Sequence, residues 1–90
     1  MMLDMFEVVE THFYLSRSDN LLSDDERSSF VDWISENYDS GDIIPGSGGV
    51  RKLRWRRAGM GKRSGLRIIF YTYMSGGRVY LLSRQSRNVR

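Results

Sequence analysis

Val50-Arg51-Lys52-Leu53-Arg54-Trp55, followed after a glycine-rich stretch by Leu66-Arg67-Ile68-Ile69-Phe70-Tyr71-Thr72-Tyr73, is the part of the chain that decides the fold. Successive side chains of a strand point to opposite faces. Read as a strand running from Val50 to Ala58, the first run puts Arg51, Leu53 and Trp55 on one face. Val50, Lys52, Arg54 and Arg56 fall on the other. One face can enter a core while its reverse presents a row of cations. The second run is β-branched, aromatic and apolar, as strands are, and Arg67 interrupts it on the face shared by Ile69, Tyr71 and Tyr73. Gly59 to Gly65, which includes Lys62 and Arg63, reads as the loop between the two strands. Ser75-Gly76-Gly77 turns the chain into a further strand from Val79 to Leu82.

Upstream, Phe6 to Thr11 mixes aromatic and β-branched residues and reads as a first strand. His12 to Asn20 holds at most one short helical turn. Ser23-Asp24-Asp25-Glu26 predicts a helix start, because Ser23 can accept from the Glu26 amide while the Glu26 carboxylate reaches back to the Ser23 amide. Phe30, Val31, Ile34 and Tyr38 then recur at spacings of three and four, an apolar stripe down a helix ending near Asn37 or Tyr38. Ser40-Gly41 and Pro45-Gly46-Ser47-Gly48-Gly49 mark a loop. The expected architecture is α+β, a small antiparallel sheet with the N-terminal helices packed on one face, and residues 1–90 form a single domain.

All eleven acidic residues lie between Asp4 and Asp42. Residues 1–42 carry Arg17 and Arg27 against those eleven acids, formally −9, while residues 43–90 carry twelve Lys or Arg, formally +12, for a net +3. Such asymmetry points to a polyanionic partner, because cations that neutralise phosphates release condensed counterions. Solubility alone does not require removing every acid from half a chain. Part of the acidic bias is structural, since Asp24, Asp25 and Glu26 sit in a first helical turn, where the helix dipole favours negative charge. With 40% hydrophobic residues and no cysteine, the chain can build a core but no disulfide framework and no thiolate metal site. No apolar run approaches the roughly 20 residues needed to span a bilayer, and MMLDMFEVVE is acidic where a signal peptide would be positive. A soluble, cytoplasmic protein is expected, without a membrane partner.

Arg51, Lys52, Arg54, Arg56, Arg57, Lys62, Arg63 and Arg67 place eight cations in seventeen residues, near Trp55, Tyr71 and Tyr73. Cations that hold a phosphodiester beside rings on which bases stack are the ingredients of a single-strand RNA or DNA site. Arg67, set among packed side chains, is expected to be partly desolvated, which strengthens its hold on a charge developing on phosphate. The opposing expectation is that Arg67 pairs with an acid of the first half. His12 reads as a helix-start or surface residue. No carboxylate cluster lies among the basic strands, which argues against a two-metal nuclease, and the glycines do not match a phosphate-cradling fingerprint. Trp33 and Trp55 read as core anchors.

The run from Gly41 to Trp55, joined to Gly59 and Gly61-Lys62-Arg63-Ser64-Gly65-Leu66-Arg67-Ile68-Ile69-Phe70-Tyr71, resembles the RelE superfamily of toxins, and within it the HigB-like branch. The similarity runs from Phe6 to Leu82. The resemblance implies an mRNA endoribonuclease of a type II toxin–antitoxin system, acting on the ribosome, inhibiting translation and silenced by a cognate antitoxin protein. It also implies metal-free and cofactor-free attack of a ribose 2′-hydroxyl on the adjacent phosphate. By motif position Arg67 would be the phosphate-stabilising arginine. Lys52 and Lys62 would be catalytic, since a lysine crowded by cations has its charged form disfavoured and is a candidate base, whereas an arginine stays protonated. Arg54, Arg56, Arg63, Tyr71, Arg84 and Arg87 would bind RNA. The tail Ser83 to Arg90 departs from the resemblance, with Gln85 near the place of a tyrosine and Arg87 near that of a lysine. That departure implies an alternative: a catalytically impaired relative that binds nucleic acid or an antitoxin without cleaving RNA. Contact with operator DNA is a third expectation.

Overall fold

The computed structural model describes residues 5–16, 23–55 and 65–86. Strand β1 (Glu7–Glu10) leads into a short helix α1 (His12–Leu15) and then a longer helix α2 (Asp24–Glu36). Strands β2 (Asp42–Ile43), β3 (Val50–Trp55), β4 (Leu66–Tyr73) and β5 (Arg78–Ser86) follow. All five strands form one sheet in the order β1-β5-β4-β3-β2. The architecture is the expected α+β one, a mostly antiparallel sheet with helices on one face. One strand departs from it: β1 pairs parallel to β5, with Glu7 opposite Arg78 and Glu10 opposite Leu81.

The start of α2 is built as its sequence dictates. Ser23 Oγ accepts from the Glu26 amide at 3.2 Å and Glu26 Oε1 accepts from the Ser23 amide at 2.9 Å, closing a capping box that satisfies two otherwise orphan donors. From there Phe30 and Ile34 enter the core, with Val31 and Trp33 packed at its edge. Tyr14 comes from α1, where Thr11 caps the helix and His12 is its exposed first residue. The sheet contributes Leu66, Ile68, Phe70, Val79 and Leu81. Trp55 meets Phe30 edge to face at 5.0 Å between ring centroids and Trp33 at 5.3 Å, so both tryptophans are core anchors. Phe6 stacks on Tyr38 at 3.7 Å.

Two features of the sheet decide which side chains share a face. Gly41 and Gly49 bracket β2, a strand where the sequence reads as loop, and Ile44 N–H donates to Val50 C=O at 2.8 Å across the intervening turn. The pairing then runs Ile43 to Arg51 and Asp42 to Lys52. Further on, the β4–β5 register shifts between Ile69 and Phe70: Ile69 opposes Ser83 while Phe70 opposes Leu81. Leu82 is therefore the extra residue of a β-bulge, and everything after it in β5 changes face.

Candidate RNA-binding face

Both helices cover one side of the sheet, so among the described residues the alternation in β3 and β4 leaves the other side open. On β3, Lys52 and Arg54 are exposed, while Leu53 and Trp55 are half-buried beneath the helices. On β4, Leu66, Ile68, Phe70 and Thr72 are buried, while Arg67 and Tyr73 are exposed and Ile69 and Tyr71 half-buried. Directly opposed residues of an antiparallel pair point to the same face. The cross-strand rows on the open face are thus Asp42, Lys52, Ile69, Ser83, then Arg54, Arg67, Gln85, then Val50, Tyr71, Tyr80.

Within this face a cavity of about 330 Å³ is lined by Asp42, Lys52, Leu53, Arg54 and Arg67. Three of the expected site residues therefore come together: Lys52, Arg54 and Arg67. Tyr71 shares their face two residues beyond Ile69, its ring lying against Gly49, where an added Cβ would meet Tyr71 Cε1 at 3.4 Å. Cavities that bury small ligands run from about 300 to 1,000 Å³, so this one suits a single group such as a phosphodiester linkage rather than a whole oligonucleotide. The remainder of a strand would lie along the open sheet.

Several expectations from the sequence need correction or fall outside the described residues. Arg84 does not lie on the open face with Lys52, Arg54 and Arg67. The bulge at Leu82 turns it inward to the Ile68 side of the sheet, where it is 6% exposed. Its guanidinium carbon sits 4.8 Å from the Tyr14 ring centroid, a cation–π contact, with Nε and Nη1 hydrogen-bonded to nothing among the described residues. Arg67 is exposed rather than desolvated, with no helix among the described residues over its face. The opposite expectation also fails among the described residues, since none of the ion pairs there involves Arg67. Arg51 lies, as its place in the alternation implies, on the face of Leu53 and Trp55. Its Nη1 donates to the Asp39 and Ser40 carbonyls at 3.0 and 3.3 Å, tying the end of α2 to β3. Arg56, Lys62, Arg63 and Arg87 lie outside the described residues.

The sequence reading missed Asp42 as a member of this site. It counts among the acids of the first half, yet β2 carries it across to the cations. Within the described residues it makes no ion pair with them. Its carboxylate and the three cations leave the cavity lining at a formal +2, from three positive charges and one negative. The clearest pKa shift on the opposite side belongs to Tyr14, whose phenol burial pushes above its ordinary value, partly offset by Arg84.

No sequence-family profile matches the chain. Among solved structures, the fold is similar to that of the E. coli toxin RelE in the free state, in a form carrying two arginine-to-alanine substitutions. The TM-score is 0.65 at 11% sequence identity, over 93% of this chain and 85% of that one. Identity this low shows a shared fold. The fold is RelE-like. No helix among the described residues is long and apolar enough to cross a membrane.

Proposed function

We propose that this protein is a RelE-like toxin of the HigB-like branch, a cytoplasmic, ribosome-dependent mRNA endoribonuclease that inhibits translation and is held inactive by a cognate antitoxin protein. The observation that carries this reading is the convergence of Lys52, Arg54 and Arg67 on one cavity in the open face of the sheet. Cleavage by an internal 2′-hydroxyl passes through a phosphorane carrying an extra negative charge. Cations fixed on a rigid sheet stabilise that charge without reorganising. Arg67, on β4 between β3 and β5, is the transition-state stabiliser. Arg54, directly across from it, holds the scissile phosphate, and Lys52 supplies a group for proton transfer. Tyr71 offers a ring for a base further along the strand. Because the face is open, water leaves the site only when RNA and ribosome cover it. That suits an enzyme silent until it meets a translating ribosome.

Primer extension on mRNA from translating ribosomes tests the reading. New ends with the intact protein, absent or strongly reduced with Arg67→Ala, are expected. No new ends with the intact protein, or undiminished cleavage with Arg67→Ala, removes it.

One observation favours the impaired alternative. The residue directly across β5 from Arg67 is Gln85, an amide that does not ordinarily transfer protons. Salt-sensitive RNA binding without cleavage is the outcome that selects it.

A further inference from the structure

We propose that Asp42 is the general base of this site, taking the proton from the attacking 2′-hydroxyl, an assignment that rests on the reading of the cavity as an RNA-cleaving one. Among the described residues that line the cavity, Asp42 is the one carboxylate. Arg54 and Arg67 hold their protons too tightly to accept or give one readily. An ammonium at Lys52 has a proton to donate and no lone pair to accept with. The reaction needs both an acceptor at the 2′-oxygen and a donor at the 5′-oxygen. Asp42 and Lys52, cross-strand partners on the same face, supply one of each.

The backbone holds Asp42 there. Gly41 has φ +76°, and a Cβ at that position would lie 2.5 Å from the Lys52 carbonyl oxygen, a separation real Cβ atoms do not show. Only glycine allows β2 to turn this tightly against β3, and the residue that follows the turn is the carboxylate. Asp42 is exposed and makes no ion pair within the described residues, so its oxygens remain open to a substrate hydroxyl.

In the step, the Asp42 carboxylate takes the 2′-hydroxyl proton and the 2′-oxygen forms a bond to phosphorus. The bond from phosphorus to the 5′-oxygen breaks, and that oxygen takes a proton from the Lys52 ammonium. The products are a 2′,3′-cyclic phosphate and a 5′-hydroxyl. Asp42 ends protonated and Lys52 neutral, and proton return from one to its cross-strand neighbour restores both.

Single-turnover cleavage of mRNA on translating ribosomes separates the roles, with one substrate carrying the natural 5′-oxygen at the cut and another a bridging 5′-sulfur. A thiolate leaves without needing a proton. Asp42→Asn is expected to slow cleavage of both substrates by about 10²- to 10⁴-fold, the range for losing a general base, while binding to the programmed ribosome stays equal or tightens because a negative charge has gone. Lys52→Ala is expected to be slow with the oxygen substrate and restored with the sulfur one. Asp42→Glu should keep part of the activity. Wild-type cleavage with Asp42→Asn within about threefold of it, or sulfur rescue of Asp42→Asn, overturns the assignment and leaves the cleavage reading standing. Absence of cleavage by the wild-type protein overturns both. Thermal unfolding of each variant guards against misfolding, which an exposed position in a two-residue strand should not provoke.

Discussion

The two faces of β3 and β4 are written in the same residues, one letter apart, yet obey different rules. On the helix side, Leu66, Ile68 and Phe70 are fully buried against Phe30, Ile34 and Tyr14, so size and shape decide what is tolerated there. On the open side, Lys52, Arg54 and Arg67 are exposed, and charge and reach decide. The folding demand and the proposed chemical demand therefore fall on alternate positions of one strand, and each can be disturbed without the other.

Phe70→Ala should sharpen that contrast most. The side chain is fully buried, so urea unfolding should show a loss of about 3–5 kcal/mol, the cost of a large aromatic cavity. A residue on the opposite face of the same strand should do the reverse. Arg67→Ala should leave stability within about 0.5 kcal/mol while cutting cleavage on ribosomes by about 10²- to 10³-fold, as loss of a transition-state donor does. A large stability loss with Arg67→Ala would erase the distinction.

Arg84 is the place to try to break it, being a cation on the apolar side. Arg84→Met keeps the volume and removes a buried charge that lacks an acid within ion-pairing distance among the described residues. Stability should hold or rise, as it does by about 1–4 kcal/mol when well-packed apolar groups replace buried ion pairs, and RNA affinity should not change. A fall in RNA affinity would put Arg84 back among the substrate-binding residues. Ser23→Ala should cost about 1 kcal/mol by removing the cap, again without effect on RNA. The smallest effect belongs to pH. Burial raises the Tyr14 pKa, so the folded state keeps its phenol proton where the unfolded chain releases it. The stability this provides is complete below about pH 10, the unfolded value, and drains away as pH rises toward the folded value. Urea midpoints of Tyr14→Phe should therefore fall less than those of wild type on the alkaline side.

Much of this arrangement was legible in the amino-acid sequence alone. The capping box and the Phe30, Val31, Ile34 spacing fixed α2, and the alternation in β3 and β4 separated the cations from the core. β2 was not legible as a strand, although its register follows from the glycine turn. The pairing of Ile44 with Val50 continues as Ile43 with Arg51 and Asp42 with Lys52, and counting back from the glycine turn gives the same partners. What hid it was a two-residue strand flanked by turn residues, too short for any periodicity. The bulge at Leu82 left no local signal, since neither glycine nor a break in the Val79 to Leu82 run marks it. That single extra residue exchanged the places of Arg84 and Gln85. The parallel direction of β1 was likewise unreadable, because four residues carry a pattern but no polarity. The exposure of Arg67 depends on which side the helices choose, and a strand's sequence alone does not record that choice.

If Lys52, Arg54 and Arg67 act together as a grip on an RNA backbone, the dependence of RNA affinity on salt should show it most directly. The measurement uses a single-stranded oligonucleotide with the wild-type chain and with Lys52→Ala/Arg54→Ala/Arg67→Ala. For a single strand, each phosphate no longer neutralised should reduce the slope of log affinity against log salt by about 0.7, so the triple variant should fall short of wild type by about 2. Equal slopes would mean that the open face is not where RNA binds.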